Sequence, residues 1–315
     1  MKRIIEAEMK TIEGREALVV SSLGDMSLKD TLECGQAFRY EELRSEGDYI
    51  EYLTVAMDKL LIIGQRKAGE LIFYGMGMDD LPMLTKYFCL DLDYSGIKAL
   101  IVEKTDSEWM KQAAECSKGI HILKQDAWEA LFSFIISQNN NIPRIRKIIR
   151  RLAAEYGENL AIKQGAESCP KGLCRGIDES VCKECGICYS FPTARAVFEN
   201  PDGMKPANTG FRFKYLLDAA RRVHLGECDL EKIEGADSFD EIMVELKKIL
   251  GVGDKVASCV ALFGMGRLEA FPIDVWMKRA IDEYFDGKLD YTVFEAYAGV
   301  AQQYIFHYIR NLSEN

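Results

Sequence analysis

The sequence predicts an α+β protein in which a small N-terminal antiparallel sheet precedes a mostly helical body. Before residue 110, short runs rich in β-branched and aromatic residues alternate with turns that contain Asp, Gly and Lys, a pattern typical of antiparallel strands. From about residue 108 the spacing of apolar residues becomes helical. We therefore predict a β-rich domain over residues 1–110 and a helical domain over residues 111–315. The strand-like runs are 17–21, 49–55, 60–64 and 70–74.

Two strongly marked helices open the helical body. Residues 126–138 start at Asp126, a favourable N-cap, and continue as an almost wholly apolar run, which predicts a buried central helix. Pro143 then occupies the first turn of a second helix, residues 144–156, and Gly157 ends it. Further helices are predicted over 190–200, 211–224 and 238–250, after Gly253, after Asp274, and over 291–310 with an interruption at Gly299.

Charge limits the classes of function. The chain has 315 residues, 48% hydrophobic and 29% charged, as in ordinary globular proteins. Its net charge of -10 argues against a protein that coats DNA non-specifically, because phosphate binding depends on Lys and Arg. Two local groups of cations are either DNA-facing surfaces or solvated helix faces. These groups are Arg144, Arg146, Lys147, Arg150 and Arg151, and then Arg212, Lys214, Arg221 and Arg222.

From its apolar pattern we do not expect this sequence to direct secretion or membrane insertion. The start, MKRIIEAEMK, lacks the apolar segment of a signal peptide, and no window approaches the roughly 18 uninterrupted apolar residues that a span needs. We expect a cytoplasmic, nucleoid-associated protein, or a nuclear one in a eukaryote, with no membrane partner.

A glycine turn between two amphipathic helices is the first candidate site. In Leu250-Gly251-Val252-Gly253, glycines permit a tight turn and leave backbone N–H groups uncovered, so the turn is either a phosphate site or a plain interhelical connection. Lys255 follows in the first turn of the next helix, where the helix dipole disfavours an ammonium and desolvation would favour a neutral, nucleophilic amine. Asp274 follows Phe271-Pro272-Ile273 at the N-cap of a later helix.

Together these features resemble the helix-hairpin-helix (HhH-GPD) DNA glycosylase superfamily. Three further segments are similar to 8-oxoguanine DNA glycosylases with AP lyase activity: GIHILKQDAWEALFSFIISQNNN at 119–141, CGQAFR at 34–39 and TGFRFKY at 209–215. The resemblance runs in order from about residue 30 to 310. It implies an N-terminal domain like that of the TATA-binding protein, Lys255 as nucleophile and Asp274 as catalytic carboxylate.

The resemblance also implies a pocket for a base flipped out of the duplex. Cys259 and Phe306 would stack on its two faces, and Gln302 would hydrogen-bond its pairing edge. The carbonyl of Gly35 would accept the N7 hydrogen that oxidised guanine has and guanine lacks.

The same resemblance implies contacts with DNA outside the pocket. Asn139 would fill the vacated stack, and Arg144 and Arg212 would read the orphaned cytosine or contact phosphates only. Gly251 and Gly253 would bind a phosphate. The implied partner is double-stranded DNA containing 8-oxoguanine, opposite cytosine, and the implied state is a monomer. The excision chemistry needs no cofactor.

Three positions depart from the family pattern. Trp276 stands where animal members carry His, which puts the contacts to the 5′ phosphate in question. Phe211 lacks the hydroxyl of the family tyrosine, and Pro143 is unusual beside the Asn run but suits a first helical turn.

A cysteine-rich insertion at 165–190 is not supplied by the resemblance. Two-residue gaps allow neighbouring thiolates to bind one metal, so four of the five cysteines could hold structural zinc. An iron–sulfur cluster and no metal at all are the alternatives. The five cysteines are Cys169, Cys174, Cys182, Cys185 and Cys188.

Three other functions compete. A monofunctional alkyl-base glycosylase of the same fold would lack Lys255 and the Gly35 motif. A catalytically silent DNA-binding protein would lack the Lys255 and Asp274 pair. A redox- or metal-sensing protein built on the cysteines would leave the other matching segments unexplained.

Overall fold

The computed structural model describes residues 1–165, 183 and 185–314. Six described strands form an antiparallel sheet in the order β1-β2-β6-β5-β4-β3. The α+β class predicted from the sequence is confirmed, with the sheet in the N-terminal part and helices through most of the remainder. The strands are β1 Glu6–Ile12, β2 Arg15–Ser21, β3 Tyr40–Glu46, β4 Tyr49–Ala56, β5 Lys59–Gln65 and β6 Leu71–Tyr74.

The described chain contains α-helices of four to seventeen residues. They are α1 Leu28–Glu33, α2 Leu81–Phe88, α3 Tyr94–Glu103, α4 Glu108–Cys116, α5 Ala127–Ser137, α6 Ile142–Tyr156, α7 Leu160–Lys163, α8 Ala194–Glu199, α9 Phe213–His224, α10 Leu230–Glu234, α11 Phe239–Leu246, α12 Asp254–Phe263, α13 Val275–Tyr284 and α14 Ala298–Glu314. In the part of the chain that the structure describes, none of them is long and apolar enough to traverse a lipid bilayer.

The chain folds into two compact units, each built from separate segments. Unit 1 comprises 1–37, 65–124 and 261–315, and unit 2 comprises 38–64 and 125–260. Each unit therefore contains both strands and helices. This division differs from the boundary at residue 110 expected from the sequence, and that boundary stays a prediction.

The four predicted strands are confirmed as β2, β4, β5 and β6, but β1 and β3 were missed. Strand β1 pairs with β2 through the Glu13-Gly14 turn, whose residues both have positive φ. Most residues of β1 are exposed, and β3 becomes increasingly exposed along its length. Both strands are rich in charged residues, so they lack the apolar alternation by which a strand is recognised in sequence.

The two predicted helices that open the helical body begin as expected, whereas the helices predicted to start at 190 and 291 begin at Ala194 and Ala298. Asp126 caps α5 by accepting a hydrogen bond from the backbone N–H of Glu129 at 2.9 Å. Seven consecutive residues of α5, 130–136, are buried, as expected for a central helix. Asn141 caps α6, with Pro143 in its first turn.

The predicted interruption of the last helix lies elsewhere. The chain breaks at Glu295, whose φ is +52°, inside the 3-10 segment Tyr291–Tyr297, and α14 then continues past Gly299. Gly299 allows close packing within unit 1. A Cβ at this position would lie 2.4 Å from Leu262 Cδ1 and 2.8 Å from the Ala270 carbonyl oxygen. A glycine in a helical pattern thus indicated a close approach, not a kink.

A buried histidine in unit 1 predicts acid sensitivity. His121 is 1% exposed, stacks on Tyr94 with ring centroids 3.9 Å apart, and places Nδ1 3.4 Å from the Phe88 carbonyl. Burial lowers the pKa of His121 to about 3. Below pH 6.5 the unfolded state therefore binds the extra proton, and stability falls as the pH drops towards 3.

Between pH 7 and pH 5 we expect His121 to lower the free energy of unfolding by about 2 kcal/mol. Urea titrations at several pH values measure how the free energy of unfolding depends on pH. His121→Asn should reduce this pH dependence. His224→Asn, at an exposed histidine, should leave it unchanged. Equal slopes in wild type and His121→Asn would contradict the assignment.

Candidate active site

The predicted helix-hairpin-helix is present in unit 2 as α11, a glycine turn and the start of α12. Gly251 has a φ of +81°, and a Cβ there would lie 2.5 Å from the ring of Tyr215. Gly253 is exposed and has open space at its Cβ position. Within the described chain, the amides of Gly251 and Gly253 donate no hydrogen bond, so both remain available for a phosphate oxygen.

The two glycines are therefore required for different reasons. Gly251→Ala should destabilise the fold by about 1–3 kcal/mol, because alanine would be strained at positive φ and would press on the Tyr215 ring. Gly253→Ala should leave unfolding unchanged while weakening duplex binding. Thermal unfolding and gel-shift titration of the two variants test this difference, and equal unfolding midpoints would contradict it.

Lys255 lies in the first turn of α12, as predicted, and is half-buried. Its Nζ donates a hydrogen bond to Ser137 Oγ at 3.1 Å and lies 5.2 Å from the centroid of the Phe134 ring. No carboxylate oxygen of the described part of unit 2 lies within 4 Å of this amine. The amine is thus held by a hydroxyl and a ring without a neutralising charge from its own unit.

Cys259 lies one helical turn after Lys255 on the same face of α12. Its side chain is buried, at 3% exposure. The predicted spacing therefore places Cys259, the expected stacking residue, one turn from Lys255 on the same helix face.

Asp274 belongs to unit 1 and caps α13, as predicted. One carboxylate oxygen, Oδ1, accepts hydrogen bonds from the backbone N–H groups of Trp276 at 3.0 Å and Met277 at 2.9 Å. Because both bonds go to Oδ1, the helix start fixes the carboxylate plane while Oδ2 makes no hydrogen bond to the described chain. Trp276 is half-buried, with the Arg279 guanidinium 5.9 Å from its ring.

The other predicted base contacts in unit 1 come from α14 and from the turn after α1. Gln302 and Phe306 are four residues apart, so they share one helix face. Gln302 is buried, and its Oε1 accepts a hydrogen bond from Gln303 Nε2 at 2.8 Å. Phe306 is half-buried, with the Arg310 guanidinium 5.6 Å from its ring.

Gly35 has a φ of +85° in the turn that follows α1. Its neighbour Gln36 is fully buried and fixes the turn, since its Nε2 donates to the carbonyls of Thr31 and His121 and its Oε1 accepts from Leu123 N, each at 2.8 Å. Sequence reasoning named Gly35 and passed over Gln36. Gln36 could have been found from the sequence, because it lies in the CGQAFR motif among mostly apolar residues. A buried glutamine needs hydrogen-bond partners.

Asn139 and Arg212 are connected directly in unit 2. The guanidinium of Arg212 is buried, at 2% exposure, and bonds the carbonyls of Gln138 and Asn139, each at 2.9 Å, and of Thr209 at 3.3 Å. Asn139 itself is exposed and has a φ of +48°. In this structure Arg212 thus fixes the backbone at Asn139. The contact of Arg212 with cytosine stays a prediction, and it would require these hydrogen bonds to rearrange.

The basic run of α6 does not form a single surface. Arg146 and Arg150 both donate to the Tyr40 carbonyl, and Arg150 also pairs with Glu41. The other three cations, one to two turns apart, line a surface groove together with Ile148, Ala207 and Asn208. They are Arg144, Lys147 and Arg151.

The second basic group is largely neutralised. Arg221 and Arg222 pair with Asp218 and Glu227 within unit 2. Lys214 of this second group is exposed, and the outward half of α6 contributes three cations to a surface suited to phosphates.

The cysteine cluster falls mostly outside the described residues, where Cys169, Cys174 and Cys182 lie. Cys188 is buried in an apolar cluster with Leu53 and Ile187, and Cys185 packs against it. Within residues 1–165, 183 and 185–314, no group of three or more His, Cys, Asp or Glu side chains could hold a metal.

Two buried cysteines away from that cluster, Cys34 and Cys228, are poorly suited to redox sensing. Burial raises the pKa of Cys34 to about 12 and that of Cys228 to about 11. Such thiols are weak nucleophiles near neutral pH.

Comparison with known proteins identifies the family of this chain. The N-terminal domain model of 8-oxoguanine DNA glycosylases matches residues 18–131. A solved structure described as MBOgg1 in complex with a low-affinity DNA ligand is 33% identical, with a TM-score of 0.80, over 98% of this chain and 99% of that one. The chain belongs to the 8-oxoguanine DNA glycosylase family. The resemblance stated from the sequence is thereby confirmed.

Two other relatives of this glycosylase extend the comparison. The 8-oxoguanine glycosylase/lyase of Clostridium acetobutylicum, solved with double-stranded DNA containing cytosine opposite 8-oxoG, is 31% identical over 98% of both chains, with a TM-score of 0.80. The N-glycosylase/DNA lyase of Saccharomyces cerevisiae is 28% identical over 276 residues, which are 81% of this chain and 67% of that protein.

Proposed function

We propose that this protein removes 8-oxoguanine from double-stranded DNA and then nicks the strand at the resulting site. The single observation that carries the proposal is Lys255 in the first turn of α12, directly after the glycine turn, in a chain of the 8-oxoguanine DNA glycosylase family. A lysine at this position supplies the amine that a combined glycosylase and lyase needs.

The chemistry begins at the sugar of the flipped nucleotide. The neutral amine of Lys255 attacks C1′ of the deoxyribose, the bond from C1′ to the base nitrogen breaks, and its electron pair leaves with the base, which takes up a proton. The carboxylate of Asp274 stabilises the positive charge that develops on the sugar. Ring opening then leaves a Schiff base between Lys255 and C1′.

Strand cleavage follows from the Schiff base. Loss of a C2′ proton expels the 3′ phosphate by β-elimination, and water then releases the unsaturated aldehyde and regenerates the amine. Every atom comes from enzyme, DNA or water, so these steps balance without a metal or cofactor.

Lesion choice depends on one hydrogen. 8-Oxoguanine carries a hydrogen on N7, which the Gly35 carbonyl can accept, whereas guanine presents a lone pair there and the two acceptors repel. The bonds made by Gln36 hold the Gly35 turn in unit 1. The Clostridium complex supports cytosine as the opposite base.

Any metal in the cysteine-rich segment has a structural role under this proposal. Cys185 and Cys188 lie at one apolar cluster and would supply two of the four thiolates of a zinc site. Elemental analysis and the visible spectrum of purified protein distinguish zinc, an iron–sulfur cluster and no metal.

The test uses three labelled duplexes that contain 8-oxoguanine opposite cytosine, guanine opposite cytosine, or an alkylated adenine. We expect release and nicking with the first at a rate at least about a hundredfold above the others. Release of alkylated adenine without nicking would favour the monofunctional alternative. Binding without release of any base would favour a silent DNA-binding protein.

A further inference from the structure

Ser137 lies where the central helix of unit 2 meets the candidate active site. It is the last residue of α5 and is half-buried. Its Oγ is 3.1 Å from Lys255 Nζ, a hydrogen bond that joins residues 118 positions apart in the chain.

The direction of this hydrogen bond is fixed by a second one. The hydroxyl of Ser137 donates to the Phe134 carbonyl at 2.8 Å, one turn back along α5. A hydroxyl has a single hydrogen, so its oxygen faces Lys255 only as an acceptor. It therefore holds an N–H of the amine and cannot cap the lone pair of the neutral amine.

Phe134 limits the amine from another direction. Its ring centroid is 5.2 Å from Nζ, and the ring is buried, with an edge contact to Phe38 at 5.7 Å. The lysine side chain is otherwise long and flexible. The hydrogen bond to Ser137 and the buried ring of Phe134 together restrict the position of Nζ.

We infer that Ser137 is a positioning residue, which aims the lone pair of the Lys255 amine by holding one of its N–H bonds. The inference rests on the proposed function, since it concerns the amine that attacks the sugar. A nucleophile held in the attack geometry reacts faster, and a misplacement of about 1 Å can cost about a hundredfold in rate.

The experiment compares three variants of the full chain. Ser137→Ala removes the acceptor. Ser137→Thr keeps a hydroxyl that can bond the same i−3 carbonyl in a helix. Ser133→Ala, at a buried serine one turn earlier on the same face of α5, is the matched control.

Two quantities are measured on duplexes with 8-oxoguanine opposite cytosine: the dissociation constant and the single-turnover rate of base release. The rate of borohydride-dependent adduct formation is measured on a duplex with an abasic site. We expect Ser137→Ala to slow both reactions about tenfold to a hundredfold with duplex affinity unchanged. Ser137→Thr and Ser133→Ala should stay within about threefold of wild type.

Three results would overturn the inference. The first is a wild-type rate in Ser137→Ala, and the second is a defect confined to duplex affinity. The third is an equal slowing of both reactions in the Ala and Thr variants. That result would show that the substitutions act by distorting the end of α5. If wild type itself forms no adduct, the proposed function has failed, and that outcome is distinct from these three.

Discussion

Replacing Lys255 with Gln is expected to abolish the borohydride-trapped adduct and to slow base release at least about a thousandfold. An amide nitrogen cannot attack C1′ or form a Schiff base. The glutamine amide can still donate a hydrogen bond towards Ser137 Oγ. The amides of Gly251 and Gly253, which we expect to bind a phosphate, are unaffected. Duplex affinity should therefore stay close to that of wild type.

The measurement is a denaturing gel after borohydride treatment, together with a gel-shift titration on the same duplex. Lys232→Gln, at an exposed lysine of α10, is the control for loss of one positive charge and should trap normally. An adduct that persists in Lys255→Gln would show that another amine attacks the sugar. Loss of duplex binding would show that Lys255 serves recognition instead.

The candidate site was largely predictable because its residues act through local geometry. The Gly251 turn, Lys255 in a first helical turn and Asp274 as an N-cap are each defined within four residues of sequence, and the structure has all three as expected. Helix caps and tight turns depend on short-range bonds, which sequence patterns record directly.

Residues that act through distant partners were not predictable. Arg212 looked like one of four cations in a basic group, but its guanidinium is buried against the carbonyls of Gln138 and Asn139, over seventy positions away. Ser137 was not singled out from the sequence. Nothing in the spacing of either residue records a partner that only the folded chain brings near.

The basic run of α6 was interpreted too simply for the same reason. Arg146 and Arg150 bond the edge of β3, and β3 itself was missed because its polar residues resemble a loop. An unrecognised strand thus concealed the partners of two cations. Charge counted along a sequence overstated the surface available to DNA.

Asp274→Asn tests the carboxylate by a change of charge with little change of structure. The Asp274 Oδ1 accepts two backbone hydrogen bonds at the start of α13, and asparagine is an equally good N-cap because its Oδ1 can accept the same bonds. The variant should therefore fold and bind duplex normally. Without the negative charge, the cation that develops on the sugar loses its stabilisation, and base release should slow about a hundredfold or more.

Single-turnover rates of base release and thermal unfolding separate charge from capping. Asp274→Ala removes both and should also lose about 1 kcal/mol of stability. Asp229→Asn, at the exposed N-cap of α10, is the matched control and should keep the wild-type rate. If Asp274→Asn released base as fast as wild type while Asp274→Ala was slow, the carboxylate would act only as a cap, and the charge stabilisation assigned to it would be wrong.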